Sequence, residues 1–491
     1  MRQRIFGTEC EYAPVYHRPS HCLQQQPCRE DLLEHLKTTA ARMMDAAKVL
    51  QMPMAGEFLG NGGRLYVDRG GHPEYATPEC KSVSDLITHE LAGDRLIQDL
   101  ADVMNGGQEA ILLHVYKNNV DSFGHTYGAH ENYLISARGM EKISVLIPFL
   151  VTRQIYAGAG KFTTGLQDGG RGYQISQRAD FFDCTYSDRT SEVRGIINIR
   201  KREITRADQD RRLHLIIGDS NMAQYTLGLK IGSLLLMLRL LEEGALPEDL
   251  DLVAPAEALK AVSRDLHAGL KVHHRGRDAN FTALEIQSIC LEKALEFYAV
   301  HPPNAEEEQW LGMWSQVLQG LKGLEVRLPD AAIERDDADL KRKIDWVLKL
   351  WLLDRSRSKG ADEDQLKSLD FRYHDLNPAS GLYAKCLALD MVDRLIPEKA
   401  IAEARRQPPA DTRGCLRGRV VQQTFAQNVA VEMENWERIR IRARKVDPEA
   451  LHCFNRIKCA MNSMEICLED PFRADDPQVM SELRAFIRRW G

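Results

Sequence analysis

The sequence predicts an α+β fold built on one large antiparallel sheet, and three observations carry that expectation. Strand-like segments crowd into the first half of the 491 residues, helical periodicity dominates 220–405, and Gly, Asn and Asp turn chemistry separates the strands. The Pro-Pro pair at 408 and 409, with Asp411 and Thr412 behind it, reads as a linker, so a large domain over 1–407 and a small one over 408–491 are expected. With 44% hydrophobic and 28% charged residues the chain can bury a large core as a globular enzyme does. A net charge of -6 leaves no basic footprint, which sets nucleic acid aside as a partner.

Taken in order, residues 3–12 read as a strand with Ile5 on one side and the acids Glu9 and Glu11 on the other. No apolar stretch there resembles a signal peptide, and the apolar run "IGSLLLMLRLLEEG" carries Arg239 inside it and Lys230 before it, so it suits a buried helix rather than a membrane span. Eleven scattered cysteines with no CxxC pair read as reduced thiols of a cytoplasmic protein. Cys22 and Cys28, near His17 and His21, form an irregular metal-ligand candidate. Asp31 to Leu50 has apolar residues at helical spacing behind an Asp31 cap. The strand at 64–68 puts Arg64, Tyr66 and Asp68 on one face and Leu65 and Val67 on the other, and a Gly-Gly turn then leads to the loop acid Glu74.

Further strands are expected near 110–116, 131–136, 195–200 and 213–218. In "YGAHENYLIS", His130 and Asn132 share one face and Glu131 and Tyr133 the other; just upstream lie Lys117, Asn118, Asn119 and Asp121. "RRLHLIIGDSNMAQ" begins polar (Arg211, Arg212, His214) and ends polar (Asp219, Ser220, Asn221), an ending that turn chemistry explains nearly as well as function does. After Trp436, Arg438, Arg440, Arg442 and Arg444 alternate with Ile439, Ile441 and Ala443, giving a strand with one cationic face, either solvated or attractive to phosphates or an acidic modifier.

Glu9 and Glu11 stand about 7 Å apart on one strand face, a poor arrangement without cations nearby. Mg²⁺, which is held by a few carboxylates together with substrate phosphates, relieves it. Set beside Arg64, Tyr66, Asp68 and Glu74, the pair completes a cup of oxygen ligands with an arginine on its rim, suited to a nucleotide triphosphate. No P-loop, GxSxG elbow, HExxH or GxGxxG competes; "GAGKFTTG" lacks the P-loop spacing.

The motifs "IFGTECEY", "NGGRLYVD", "GHPEYATPEC", "YKNNVDSFG", "YGAHENYLI", "PFLVTRQ", "ISQRAD", "RRLHLIIGDSNM", "IDWVLK", "LDFRYHDL", "PPADTRGCLRG" and "LEDPFRADD" together resemble the Pup ligase and depupylase family, relatives of glutamine synthetase and the carboxylate-amine ligases. The resemblance runs collinearly from residue 4 to about 485. It implies a curved antiparallel cradle backed by helices, glutamine synthetase-like, plus a small C-terminal α/β domain. It also implies ATP-driven phosphorylation of the C-terminal glutamate side chain of a small disordered Pup-like modifier, then attack by a lysine of a substrate protein. A proteasome-type protease is the indirect downstream partner. Residue by residue, Glu9, Tyr66 and Glu74 match the family's magnesium ligands, Arg64 and Thr77 its ATP contacts, Trp436 a residue packing on the nucleotide, and Asp68 the catalytic aspartate that takes the proton of the incoming lysine. An ammonium of pKa about 10.4 is no nucleophile until such a base removes its proton.

The depupylase branch carries a long extra loop between the first strand and the NGxRLY strand. Here a helix at 31–50 consumes that space, and "GDSNM", "YATPEC" and "EDPFRADD" resemble the ligase branch, whereas "RGIIN" at 194–198 resembles the amidase branch. A ligase is favoured, a depupylase or deamidase is the alternative, and a catalytically silent binding protein a second one. The chain departs from both branches in "IRKREITRAD", which brings in Lys201, Arg202 and Arg206, in the segment "VYHRPSHCLQQQPCRED", and at Gly63. These departures admit a divergent ligase for another Pup-like protein.

Overall fold

The computed structural model describes residues 4–17, 29–106, 112–163, 172–189, 192–199, 204–205, 210–247, 249–274, 280–327, 332–335, 338–427, 430–433, 435–442, 463–468 and 470–490. Ten of the described strands join in one sheet. They are β1 (Phe6–Glu11), β2 (Met54–Ala55), β3 (Phe58–Leu59), β4 (Arg64–Val67), β5 (Pro73–Ala76), β6 (Ala129–Ser136), β7 (Cys184–Ser187), β8 (Gly195–Asn198), β9 (Ile204–Thr205) and β10 (Asp210–Leu215). Their order is β7-β8-β10-β6-β1-β5-β4-β3-β2, with β9 added on β10. Every pairing is antiparallel except β7 with β8, as the α+β expectation requires.

Two expected strands move. Residues 112–116 pair with Ala13–His17 in a separate two-stranded sheet. The strand expected at 213–218 forms three residues earlier, as β10, because Arg211 and Arg212 pair with β6 while Gly218 onward turns away. Glu74, read from sequence as a loop acid, lies in β5, where its neighbours Pro73, Tyr75 and Ala76 are all buried. The helix expected at 31–50 is present over Arg29–Val49. The metal candidate of His21, Cys22 and Cys28, and also Lys201, Arg202, Arg206 and Arg444, fall outside the described residues.

Period-two alternation gives the sheet two unlike faces. On β1, Phe6, Thr8 and Cys10 are buried while Glu9 and Glu11 are only half-buried. The buried face rests on the helix Val83–Asn105, where Thr8 donates to Glu90 at 2.7 Å. Under it the fully buried Lys117 donates to Glu90 (2.9 Å) and Asp94 (2.8 Å), so the two buried acids share one ammonium donor. The apolar run at 224–243 is a helix covered on nearly every side by the core, among others by Trp310, which lies against Gly228 and Gly232. Among the described residues no helix is long and apolar enough to cross a membrane.

Beyond Pro408 and Pro409 a separate hydrophobic cluster (Leu416, Val420, Ile439, Ile441, Ile466, Leu468, Met480, Leu483) is enclosed by the helices Arg413–Ala426 and Pro477–Trp490 and a three-stranded antiparallel sheet. Its first helix lies on the turn before β4. Gly62 has φ +80°, and a Cβ there would stand 2.6 Å from the Gly414 carbonyl, so only glycine allows this approach. Glu79, just after β5, accepts from Arg413 Nε at 2.7 Å and from Arg417, clamping helix to sheet.

Candidate active site

The half-buried face of the sheet gathers the expected residues by register. Glu11, Glu74 and Tyr66 lie directly opposite one another across β1, β5 and β4, and Glu9, Ala76 and Arg64 form the next row. Glu9 also faces His130 on β6. Its carboxylate accepts from His130 Nδ1 (3.1 Å), Asn132 Nδ2 (3.0 Å) and Arg212 Nη2 (3.1 Å). Burial alone would push the Glu9 carboxyl up, but the His130 hydrogen bond and the positive Arg212, His214 and His130 outweigh it and hold it well below the usual carboxylate range.

Glu74 moves the other way. Burial first, then the negative charges of Glu9 and Glu11, hold its carboxyl well above the ordinary value. Burial, followed by Glu9 and Glu74, likewise pushes the Tyr66 phenol far up, so it is a neutral oxygen donor. Glu9 and Glu74, with opposed protonation tendencies, share one sheet face with Glu11 and so form an anionic site. The donor set, hard oxygens at buried (Glu74) and half-buried (Glu9, Tyr66) positions, fits Mg²⁺. Glu9, His130 and His214 further offer ligand atoms that all lie within 4.8 Å of one another.

Arg64 stands at one end of the row. Its guanidinium lies 4.1 Å from the Tyr66 ring centroid and 5.6 Å from that of Phe58, and its Nε donates to Glu57 at 2.9 Å. Trp436 reaches the same patch from the C-terminal unit. It meets Phe58 edge-on at 5.0 Å, with Arg417 at 4.7 Å over its ring. Thr77 is buried, and its hydroxyl oxygen accepts from the Thr8 N–H at 3.0 Å. Asp68 closes the far end, about 13 Å along the strand from Arg64, where its carboxylate accepts from the N–H groups of Gly70 (2.8 Å) and His72 (2.6 Å).

The sequence did not single out Glu57, His72 or Tyr127, and it read Arg212 and His214 only as the polar start of a strand. Their shared face was legible, since they are two apart on β10; the pairing of His214 with Asn132, which brings them over Glu9, was not. Conversely, Lys117 and Asn119 do not line the cup. Lys117 lies behind the sheet, and Asn119 is bonded to Ser220 (2.6 and 2.9 Å). The Asp219 carboxylate accepts from Ala159, Gln177 and Arg178 N–H groups and from the Ser176 hydroxyl, so "GDSN" is a buried staple rather than a reactive turn.

A model of the family described as Pup-ligase protein matches residues 4–440. The Pup–protein ligase of Nocardioides sp. is 38% identical over 491 residues, covering 98% of each chain. That of Acidimicrobium ferrooxidans is 37% identical over 431 residues, covering 86% of this chain and 89% of the relative. Among solved structures, the complex between prokaryotic ubiquitin-like protein Pup and its ligase PafA superposes with a TM-score of 0.82 at 29% identity, over all of this chain and 93% of that one. PafA in complex with ADP superposes with a TM-score of 0.75 at 29% identity, over 97% of each chain.

Proposed function

This chain belongs to the Pup-ligase protein family, and from that premise we propose that its polar sheet face carries out ATP-dependent ligation of a Pup-like modifier to protein lysines. The observation that carries this reading is the register that sets Glu9, Tyr66 and Glu74 on three adjacent strands, with Arg64 at the start of β4 and Asp68 just past its end.

The γ-phosphoryl group of ATP passes to a side-chain carboxylate oxygen of the modifier's C-terminal glutamate, ADP leaves, and a poor electrophile becomes an acyl phosphate with a good leaving group. The lysine amine then attacks the acyl carbon, phosphate departs with the former carboxylate oxygen, and an isopeptide bond remains. Arg64 and Thr77 hold the nucleotide, and Trp436 covers it from the C-terminal unit. Asp68 accepts the proton that the lysine must lose. Glu9, Tyr66 and Glu74 would hold Mg²⁺, which when bound would supply positive charge to offset the carboxylates of Glu9 and Glu74 and the phosphate oxygens. Residues 1–407 form the catalytic domain and 408–491 the small domain. The free thiols among the described cysteines suit a cytoplasmic setting. Lysine-bearing proteins are the acceptors, and a proteasome-type protease lies downstream.

Two observations favour ligation over hydrolysis of conjugates. The curated relatives reported above are ligases, and the helix Arg29–Val49 occupies the span in which the depupylase branch carries its extra loop. The test incubates the protein with ATP, Mg²⁺, a Pup-like protein ending in glutamate and a lysine acceptor. ADP release accompanied by an isopeptide-linked product, located by mass spectrometry, is expected. Cleavage of preformed conjugate without any ATP-dependent conjugation would reassign it to the amidase branch.

A further inference from the structure

We propose that His72 is a positioning residue for the lysine-attack step, acting through the hairpin turn that aims Asp68; the inference rests on the reading of Asp68 as the base. Asp68 and His72 face each other across the β4–β5 turn, where the Asp68 N–H donates to the His72 carbonyl at 2.9 Å and the Gly71 N–H to the Asp68 carbonyl at 3.1 Å. The side chain joins the same turn, because Oδ1 accepts from the His72 N–H (2.6 Å) and Oδ2 from the Gly70 N–H (2.8 Å). Both oxygens of the base are therefore tied to backbone N–H groups of one turn, Oδ1 to residue 72 itself.

Residue 72 is in turn fixed from outside the turn. Its ring Nδ1 lies 2.9 Å from the Tyr12 carbonyl oxygen, which can only accept, so Nδ1 carries the proton and donates. The ring stacks on Tyr127 at 4.4 Å between centroids with 21° between planes. Both partners are anchored in the core. Tyr12 is fully buried and its hydroxyl donates to Asp94 at 2.7 Å, while the buried Tyr127 donates its N–H to the Asn119 carbonyl at 3.1 Å. His72 itself is only half-buried. Its two fixed contacts, to Tyr12 and Tyr127, hold the turn and with it the carboxylate in place. A displacement near 1 Å at a reacting group lowers rates by about 10- to 100-fold.

The test separates the two half-reactions. ADP formation with ATP, Mg²⁺ and a glutamate-ended modifier, without acceptor, reads phosphorylation; adding a lysine peptide reads attack. His72→Asn places an amide N–H where Nδ1 stands, whereas His72→Gln places it near Nε2. We expect His72→Gln and His72→Ala to lower the conjugation rate at saturating substrate about tenfold or more, with ADP formation within about twofold of wild type, and His72→Asn to recover most of the lost rate. Conjugation unchanged in His72→Gln, an equal loss in both half-reactions, or no difference between Asn and Gln would each overturn the proposal. Asp68→Asn run alongside locates a failure. If it abolishes conjugation while His72→Gln does not, His72 alone is misassigned; if Asp68→Asn conjugates normally, the base itself is misassigned and the role of His72 falls with it.

Discussion

Glu74 and Asp68 occupy the same sheet face, yet their surroundings ask opposite things of them. Glu74 is buried beside two other acids, which holds its carboxyl protonated well above the ordinary range, and a divalent cation reverses that preference by competing with the proton. Glu74→Gln should therefore raise the Mg²⁺ concentration needed for half-maximal ADP formation by about tenfold or more, read by titrating Mg²⁺ at fixed ATP. Asp68 instead has its two oxygens engaged by N–H groups of its own turn. Asp68→Asn keeps the shape but removes the proton acceptor, so conjugation should fall by about 100-fold or more while nucleotide affinity, measured by calorimetry, stays within about twofold. Asp68 was readable from period-two spacing because an acid on the wet face of a strand declares its face directly, whereas Glu74 was readable only as an acid beyond the turn, its strand being buried throughout. Glu57 and His72 were not, because what matters about them is the partner, Arg64 in one case and Tyr12 in the other, and neither partner is implied by spacing along the chain.

At the scale of elements, the sheet's faces were legible and its neighbours were not. Alternation identified β1, β4 and β6 with the right residues on each face, but no local signal says that β1 lies between β5 and β6 or that Ala13–His17 leaves for another sheet. β5 itself escaped notice because "PEYA" carries a proline at its start and is buried throughout, which leaves no alternation to see. The junction between this sheet and the helix Arg413–Ala426 makes a pH prediction. Burial would raise the Glu79 carboxyl, but Arg417 and then Arg413 overcome it and bring it down to about 2. A depressed folded-state value contributes stability that is complete above the unfolded value near 4.5 and is lost as pH falls through the range from there to about 2, for a total of about 3 kcal/mol. Thermal melts between pH 6 and pH 3 should lose more than half of that increment in wild type and almost none of it in Glu79→Gln, which begins less stable; identical pH slopes would remove Glu79 from the junction's energetics.

On the scale of the whole molecule, the patch proposed to hold the nucleotide draws Arg64 and Phe58 from the sheet and Trp436 from the C-terminal unit, whose core is a separate cluster. A ligand that touches both units stabilises them together, so ATP with Mg²⁺ at about 100 times its dissociation constant should add about 2.7 kcal/mol. It should also sharpen the melting transition by coupling the two cores. Trp436→Ala should keep ADP formation at high ATP and lose most of that coupling, a difference differential scanning calorimetry reads directly. The layer beneath the floor sets a limit on how this enzyme can be altered. Lys117 is the shared cation of Glu90 and Asp94 beneath the sheet face proposed to hold the phosphates, so any redesign that replaces that lysine with an oily side chain leaves buried anions uncompensated under that face. Attempts to harden the interior by greasing it would thus cost stability and weaken ATP binding together.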